Sequence, residues 1–173
     1  MIEVRFHGRG GQGAVTAASL LAKAAGLDDK YAQGFPAFGV ERRGAPVKAF
    51  TRISEKPITT RTHVYSPDYV VVLDSSLMEL HEIFEGLKES SIIIVNSKEP
   101  QKAKNKTYNY DATSLALEIL GKDIVNTAML GVFAKVTKLV SLDSLLKVMD
   151  EFPKKLAELN RKLVREAFNR MEV

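Results

Sequence analysis

A glycine-rich stretch between a predicted strand and a predicted helix constrains this chain most strongly. Ile2, Val4 and Phe6 alternate with charged residues, which is the spacing of a strand. Residues 14–25 carry small and apolar side chains at helical density. The sequence between them is His7-Gly8-Arg9-Gly10-Gly11-Gln12-Gly13. We therefore expect a tight strand-to-helix turn, in which glycines allow positive φ and a close neighbour.

This glycine turn, Gly8 to Gly13, has two interpretations. Its glycines satisfy the G-x-G-x-x-G dinucleotide fingerprint, and the helix that follows offers unpaired N–H groups to an anion or to a carbonyl of another chain. The fingerprint also expects an acidic residue at the end of the second strand, about 20 residues further on. The chain has Lys30-Tyr31-Ala32-Gln33-Gly34-Phe35 there, without an acid. The other interpretation is a turn that needs small residues only for packing.

Composition indicates an ordinary globular chain. Of its 173 residues, 45% are hydrophobic and 27% are charged. This length suits one domain, residues 1–173, with a helical C-terminal segment from about residue 126.

Several function classes are excluded or disfavoured. The net charge is only +4 and no basic stripe carries interleaved aromatic residues, so a nucleic-acid partner is not expected. The chain has no cysteine, which excludes disulfides and any iron–sulfur cluster ligated by its own thiolates. We see neither an apolar run long enough for a membrane span nor a signal peptide, and we expect a cytoplasmic protein.

Hydrophobic patterning predicts an α/β fold. Residues 47–53 alternate in polarity, as in an antiparallel strand, whereas 69–73 and 92–95 are continuous apolar runs typical of strands buried on both faces. We expect three layers, with helices covering a mainly parallel but mixed sheet and a helical C-terminal part. The predicted helices cover residues 75–86, 127–139, 142–151 and 153–171, and a further helix ends at Leu120. Asp74 is the expected N-cap of the first, and either Asp111 or Thr113 caps the helix that Gly121 ends.

A second motif lies in residues 34–46, where three glycines and two prolines predict no regular element. Within it, Glu41-Arg42-Arg43-Gly44 places charges among apolar residues. Arginine forks pair bidentately with carboxylate or phosphate, so this loop either clamps a phosphate or locks onto another subunit. The alternative is an ion pair between Glu41 and an arginine that shapes the loop.

No catalytic constellation is visible. His7, His63 and His81 lie far apart in the sequence and have no metal-ligand spacing. Only His7 stands near the glycine turn, where we expect a structural hydrogen-bonding role. We predict no catalytic residue, no metal site and no autonomous activity.

The two motifs together resemble a known family. His7 to Gly13, then Gly39-Val40-Glu41-Arg42-Arg43-Gly44-Ala45-Pro46-Val47, then Phe50-Thr51-Arg52-Ile53 and Lys56-Pro57-Ile58 are similar to the gamma subunit of 2-oxoacid:ferredoxin oxidoreductases. The sequence Arg-Arg-Gly-Ala-Pro-Val is most similar to that of the gamma subunits of the pyruvate (pyruvate synthase) and 2-ketoisovalerate enzymes.

This resemblance implies a multi-subunit enzyme that decarboxylates a 2-oxo acid, transfers the acyl group to coenzyme A and reduces ferredoxin. Thiamine diphosphate, Mg and the iron–sulfur clusters would lie on the alpha, beta and ferredoxin-like delta subunits, and this chain would hold no cofactor. By analogy, Arg9, Arg42, Arg43 or Lys48 would meet the coenzyme A phosphates. The residues expected to shape an interface or ligand site are Gly8, Arg9, Gly10, Gly11, Gln12, Gly13, Glu41, Arg42, Arg43 and Gly44.

Two other hypotheses remain. One is a stand-alone, Rossmann-like nucleotide-binding oxidoreductase, which the glycine fingerprint favours. The other is a purely structural scaffold without a ligand, which differs from the gamma-subunit hypothesis only in its dependence on coenzyme A.

Overall fold

A computed structural model describes residues 1–37 and 43–173, and these build a mixed sheet with the order β2-β3-β1-β4-β5-β6. Strands β1, β4, β5 and β6 run parallel, and β3 is antiparallel to both β1 and β2. The strands are β1 (Ile2–Arg9), β2 (Tyr31–Pro36), β3 (Pro46–Ser54), β4 (Tyr69–Val72), β5 (Ile92–Asn96) and β6 (Lys106–Tyr110).

One face of the sheet is covered by helices. They are α1 (Ala14–Leu27), α2 (Ala112–Leu120), α3 (Asn126–Thr137), α4 (Leu142–Val148) and α5 (Lys154–Arg170). Each contributes buried side chains to one cluster with Phe6, Val71 and Ile94 of the sheet. Of the two N-cap candidates of α2, Asp111 accepts the N–H bond, and Gly121 ends the helix at φ 67°. Ser141 accepts an N–H bond at the start of α4. The α/β prediction with a mixed sheet and a helical C-terminal part is confirmed.

The opposite face carries a layer without α-helix in the described residues. The predicted helix over 75–86 is wrong, since the segment forms two short 3-10 helices, Ser75–Glu79 and His81–Ile83, separated by an extended Leu80 with ψ 132°. Buried Arg5 donates from Nη2 to the backbone oxygens of residues 82, 83 and 85, at 3.2, 3.1 and 2.9 Å. This layer is therefore held by a side chain of β1 that is remote in sequence.

Strand β2 continues through Gly34 to Pro36, although the glycines and prolines of residues 34–46 predict no regular element there. The close approach of α1 to this strand leaves no room for a side chain at position 34. A Cβ at Gly34 would stand 2.6 Å from the Ala18 backbone oxygen. The glycine that suggested irregular structure instead allows a helix to pack directly on the edge strand.

No helix in the described ranges has both the length and the apolar character that a membrane crossing requires.

Candidate functional site

The glycine turn and the second motif meet at the end of β1. The Gly10 N–H donates to the Ala45 backbone oxygen at 2.8 Å, and the Gly44 N–H donates to the Gly10 backbone oxygen at 3.1 Å. Gly10 and Arg43 also form a parallel bridge. The structure thus joins Gly8 to Gly13 with Arg43 and Gly44, whereas Glu41 and Arg42 lie outside the described residues.

Arg9 fastens this junction from the side. Its Nη1 donates to the Gly44 backbone oxygen at 3.2 Å, and its Nη2 donates to Ser76 Oγ at 2.8 Å. Its Nε donates to Asp74 Oδ2, also at 3.2 Å. Since each side-chain nitrogen has a protein partner, Arg9 serves to hold the glycine turn, the second motif and the end of β4 together.

Gln12 and Asp74 complete the same network. Gln12 Oε1 accepts from the Arg9 backbone N–H at 2.7 Å, and its Nε2 donates to Asp74 Oδ2 at 3.1 Å. Partial burial acts to raise the pKa of Asp74, but hydrogen bonds from Ser76 and Gln12 and the charge of Arg9 outweigh it and lower that pKa. Asp74 is therefore a fixed anion at neutral pH, committed to structure.

Two glycines of the turn adopt the left-handed conformation, and they differ in their surroundings. Gly13, which precedes α1, has φ 79°, and a Cβ there would stand 2.5 Å from Asn126 Nδ2 of α3. Gly11 has φ 95°, but a Cβ there would meet no atom within 4 Å. The packing interpretation of the turn thus applies directly to Gly13.

The strand order argues against a dinucleotide site. In the doubly wound nucleotide-binding fold the second strand lies beside the first, which brings its terminal acid to the ribose. Here antiparallel β3 lies between β1 and β2, so the end of β2 is two strands away from the glycine turn. The G-x-G-x-x-G spacing is present without the topology that gives it this function.

A cleft of about 290 Å³ opens at the carboxyl ends of β1, β4 and β5. In parallel sheets, ligands bind at this edge where successive connections leave to opposite sides. Asn96 organises the cleft, because it accepts from the Ala112 and Thr113 N–H groups and donates to the Leu73 backbone oxygen and Thr113 Oγ1. Thr113 Oγ1 in turn donates to Asp123 Oδ1 at 3.1 Å.

Sequence reasoning did not predict this cleft. Its described lining consists of Gln12, Leu73, Asp74, Ser75, Asn96, Ser97, Lys98, Asp111, Thr113, Ser114, Asp123 and Val125. A usable signal existed, since Asp74 and Asn96 both stand at the ends of continuous apolar runs. The carboxyl ends of neighbouring parallel strands meet at one edge, which brings such residues together.

His7 is unsuited to catalysis as a base. Its side chain lies on the face opposite the helices, where it lines a small cavity with Lys48. Burial, followed by the charges of Arg5 and Lys48, lowers the pKa of His7 to about 3. Its Nε2 is buried and lacks a hydrogen-bond partner among the described residues, so His7 is a neutral core residue.

The predicted cationic residues therefore differ in availability. Lys48 lies beside His7 on the second face of the sheet, and Arg9 is occupied by protein partners. Arg43 is exposed, and within the described ranges its side chain makes no hydrogen bond or ion pair. Among residues 1–37 and 43–173, no three His, Asp or Glu side chains cluster in a way that could hold a metal ion.

Comparison with known proteins places the whole chain. Residues 3–170 match the family model described as pyruvate ferredoxin/flavodoxin oxidoreductase. The chain is 57% identical to a pyruvate synthase subunit PorC of Methanothermobacter marburgensis, covering 99% of this chain and 98% of that one. It is 56% identical to the pyruvate/ketoisovalerate oxidoreductases common subunit gamma of Pyrococcus abyssi, covering 100% and 98%. Among solved structures it resembles the pyruvate oxidoreductase subunit PORC of Thermotoga maritima, with TM-score 0.86, 36% identity, and 99% and 97% coverage.

Proposed function

Because the chain belongs to the pyruvate ferredoxin/flavodoxin oxidoreductase family, we propose that it is the gamma subunit of a pyruvate or 2-ketoisovalerate:ferredoxin oxidoreductase. Such an enzyme oxidatively decarboxylates a 2-oxo acid, forms an acyl-coenzyme A and reduces ferredoxin. Relatives named for pyruvate and for both substrates support this assignment. The observation that carries it is the match over residues 3–170, which contains both motifs.

The remaining parts of the enzyme belong to other chains in this proposal. Alpha, beta and ferredoxin-like delta subunits would carry thiamine diphosphate, Mg and the iron–sulfur clusters in the cytoplasm. This chain has no cysteine, so its own thiolates cannot ligate a cluster. We infer that residues 1–173 act as one domain whose contribution is assembly and shaping of the coenzyme A site.

The junction of the two motifs suggests how this contribution is made. Arg9 is fixed by Asp74, Ser76 and the Gly44 backbone oxygen, so it acts as a positioning residue. It presents the neighbouring Arg43, which is exposed and without a side-chain partner in the described residues. An exposed guanidinium on a braced backbone is suited to pair with a phosphate of coenzyme A.

The cleft beside this junction suits the uncharged part of such a ligand. Its walls carry amide and hydroxyl groups of Gln12, Asn96 and Thr113 that are already bonded within the protein, with Lys98 as its one basic residue among the described lining. The carboxylates of Asp74, Asp111 and Asp123 disfavour a phosphate inside. We therefore assign phosphate contact to Arg43 and the neutral portion of coenzyme A to the cleft.

Affinity purification of the tagged chain from its native cells tests the subunit assignment. The recovered material is assayed for reduction of a viologen dye that depends on both a 2-oxo acid and coenzyme A. We expect a multi-subunit complex, with thiamine diphosphate and iron–sulfur partners, that is active with pyruvate or 2-ketoisovalerate. A chain that elutes alone and binds NAD or a flavin would contradict the proposal and favour the nucleotide-binding alternative.

A further inference from the structure

A second pocket, of about 370 Å³, lies at the β2 edge of the sheet, on the face that is not covered by the α-helices. Two of its described lining residues are arginines and none is acidic. They are Gln33, Gly34, Phe35, Arg52 and Arg61. The pocket is separate from the cleft at the carboxyl ends of the strands, with which it shares no described lining residue.

Arg52 is the unusual member of this lining. The residue is only 1% exposed, yet its guanidinium is incompletely bonded. Its Nε donates to Glu3 Oε1 at 2.8 Å, and its Nη2 donates to the backbone oxygens of Thr62 and His63 at 2.8 and 3.2 Å. Nη1 is buried and has no acceptor among the described residues. Buried guanidinium N–H groups normally find acceptors, so this donor indicates a missing partner.

The strand register shows where that donor points. Arg52 lies between Glu3 of β1 and Gln33 of β2, which are its partners on either side. In a planar guanidinium, Nη1 extends in the direction opposite to the Nε–H bond. Because Nε–H faces Glu3 on β1, Nη1 faces β2 and the pocket. The Phe35 ring borders the same space, with its centroid 5.2 Å from Arg52 Cζ.

We propose that this pocket binds a carboxylate that has a flat or apolar body. Arg52 supplies a fixed donor that lacks an acceptor, Arg61 supplies an exposed positive charge, and Phe35 supplies an apolar wall. A carboxylate oxygen is suited to accept from Arg52 Nη1, and the resulting charge-assisted hydrogen bond is stronger when the donor is desolvated. The carboxylate comes either from a free small molecule or from an Asp or Glu side chain of a neighbouring subunit.

Calorimetric titration of the full chain with benzoate tests this proposal, with benzamide as a neutral control of the same shape. We expect benzoate to bind at about millimolar Kd and benzamide to bind at least about tenfold more weakly, because it lacks the charge. Arg61→Gln should weaken benzoate binding by about fivefold to tenfold. Arg165→Gln, which removes an equal charge from an exposed position of α5, should leave binding unchanged.

Arg61 is exposed, so its variant should unfold at the same temperature as the wild type, and a binding loss would reflect the pocket. Absence of benzoate binding, equal binding of benzoate and benzamide, or wild-type binding by Arg61→Gln would each overturn the proposal. Arg52→Lys provides a second variant, which keeps the charge but removes the Nη1 donor and should abolish binding.

The assembled enzyme distinguishes the two sources of the carboxylate. If benzoate still binds, the pocket is open to a small molecule, and if binding is lost on assembly, a carboxylate of a neighbouring subunit fills it. Both results agree with a carboxylate site. The titration of the isolated chain does not depend on the gamma-subunit assignment, so failure of one leaves the other standing.

Discussion

Replacing Gly13 by alanine should reveal how the glycine turn is packed. Gly13 has φ 79°, a left-handed conformation that costs alanine about 1 to 2 kcal/mol. The added Cβ would also stand 2.5 Å from Asn126 Nδ2. Asn126 is buried, so relieving this overlap should cost a further 1 to 3 kcal/mol or so. We expect Gly13→Ala to lower the free energy of unfolding by about 2 to 5 kcal/mol in urea titrations.

Gly11→Ala is the matched control, since Gly11 has φ 95° but open space around its Cβ position. It should cost only the conformational part, about 1 to 2 kcal/mol. A difference of about 2 kcal/mol between the variants corresponds to about 6 °C in Tm for a chain of this size. In an Asn126→Ala background, Gly13→Ala should cost no more than Gly11→Ala. Equal costs for the two glycines, or an unchanged cost in that background, would refute the packing explanation.

Three further changes test the rest of the structure. The free energy of unfolding of the wild type should fall as pH drops from 6.5 towards 3, because His7 binds a proton in the unfolded chain but stays neutral when buried. At about pH 5 the loss is about 2 kcal/mol, and urea titrations of His7→Leu should not show it. Arg5→Met should lower the free energy of unfolding by about 2 to 3 kcal/mol, because Arg5 binds the backbone oxygens of residues 82, 83 and 85. Hydrogen exchange should become faster selectively in residues 75–86, and an equal change throughout the chain would contradict this. Asn96→Ala should lower the free energy of unfolding by about 2 to 3 kcal/mol, because it removes the hydrogen bonds that hold the start of α2. An unchanged midpoint in urea titrations would contradict that role.

Local signals predicted much of the architecture. The alternating pattern of residues 47–53 identified β3 as antiparallel, and it pairs with β1 from Ile2 opposite Ile53 to Arg9 opposite Pro46. Capping chemistry predicted the end of α2 at Gly121, and it named Asp111, which caps the helix, as one of two candidates for its start. These features depend on a few consecutive residues, which is why sequence patterns predict them.

Long-range packing set what the sequence did not reveal. Strand β3 lies between β1 and β2, and the spacing of the fingerprint glycines does not reveal this strand order. Arg5 holds a segment about 80 residues away through backbone oxygens, which carry no sequence signature. In the sequence, Gly34 indicates a loop, and only the closeness of Ala18 of α1 explains why a glycine lies within a strand.

The same limit applied to the candidate site. The two motifs were predicted to matter, but their backbone junction and the division of roles between Arg9 and Arg43 depend on contacts across more than thirty residues. Asp74 belongs to the site because it accepts a hydrogen bond from Arg9, whereas its position in the sequence predicted only a helix cap. Tertiary contacts thus changed which arginine is available to a ligand.

The most direct test of the proposed role of Arg43 is the coenzyme A dependence of the assembled enzyme with Arg43→Gln in this chain. We predict that KM for coenzyme A rises about tenfold, as expected for loss of one charge-assisted phosphate contact, while kcat, subunit composition and Tm stay near wild type. Arg165→Gln, an equal charge change on the exposed surface of α5, should leave all four quantities unchanged. An Arg43→Gln enzyme with wild-type KM for coenzyme A would contradict the assignment of this junction to the coenzyme A site.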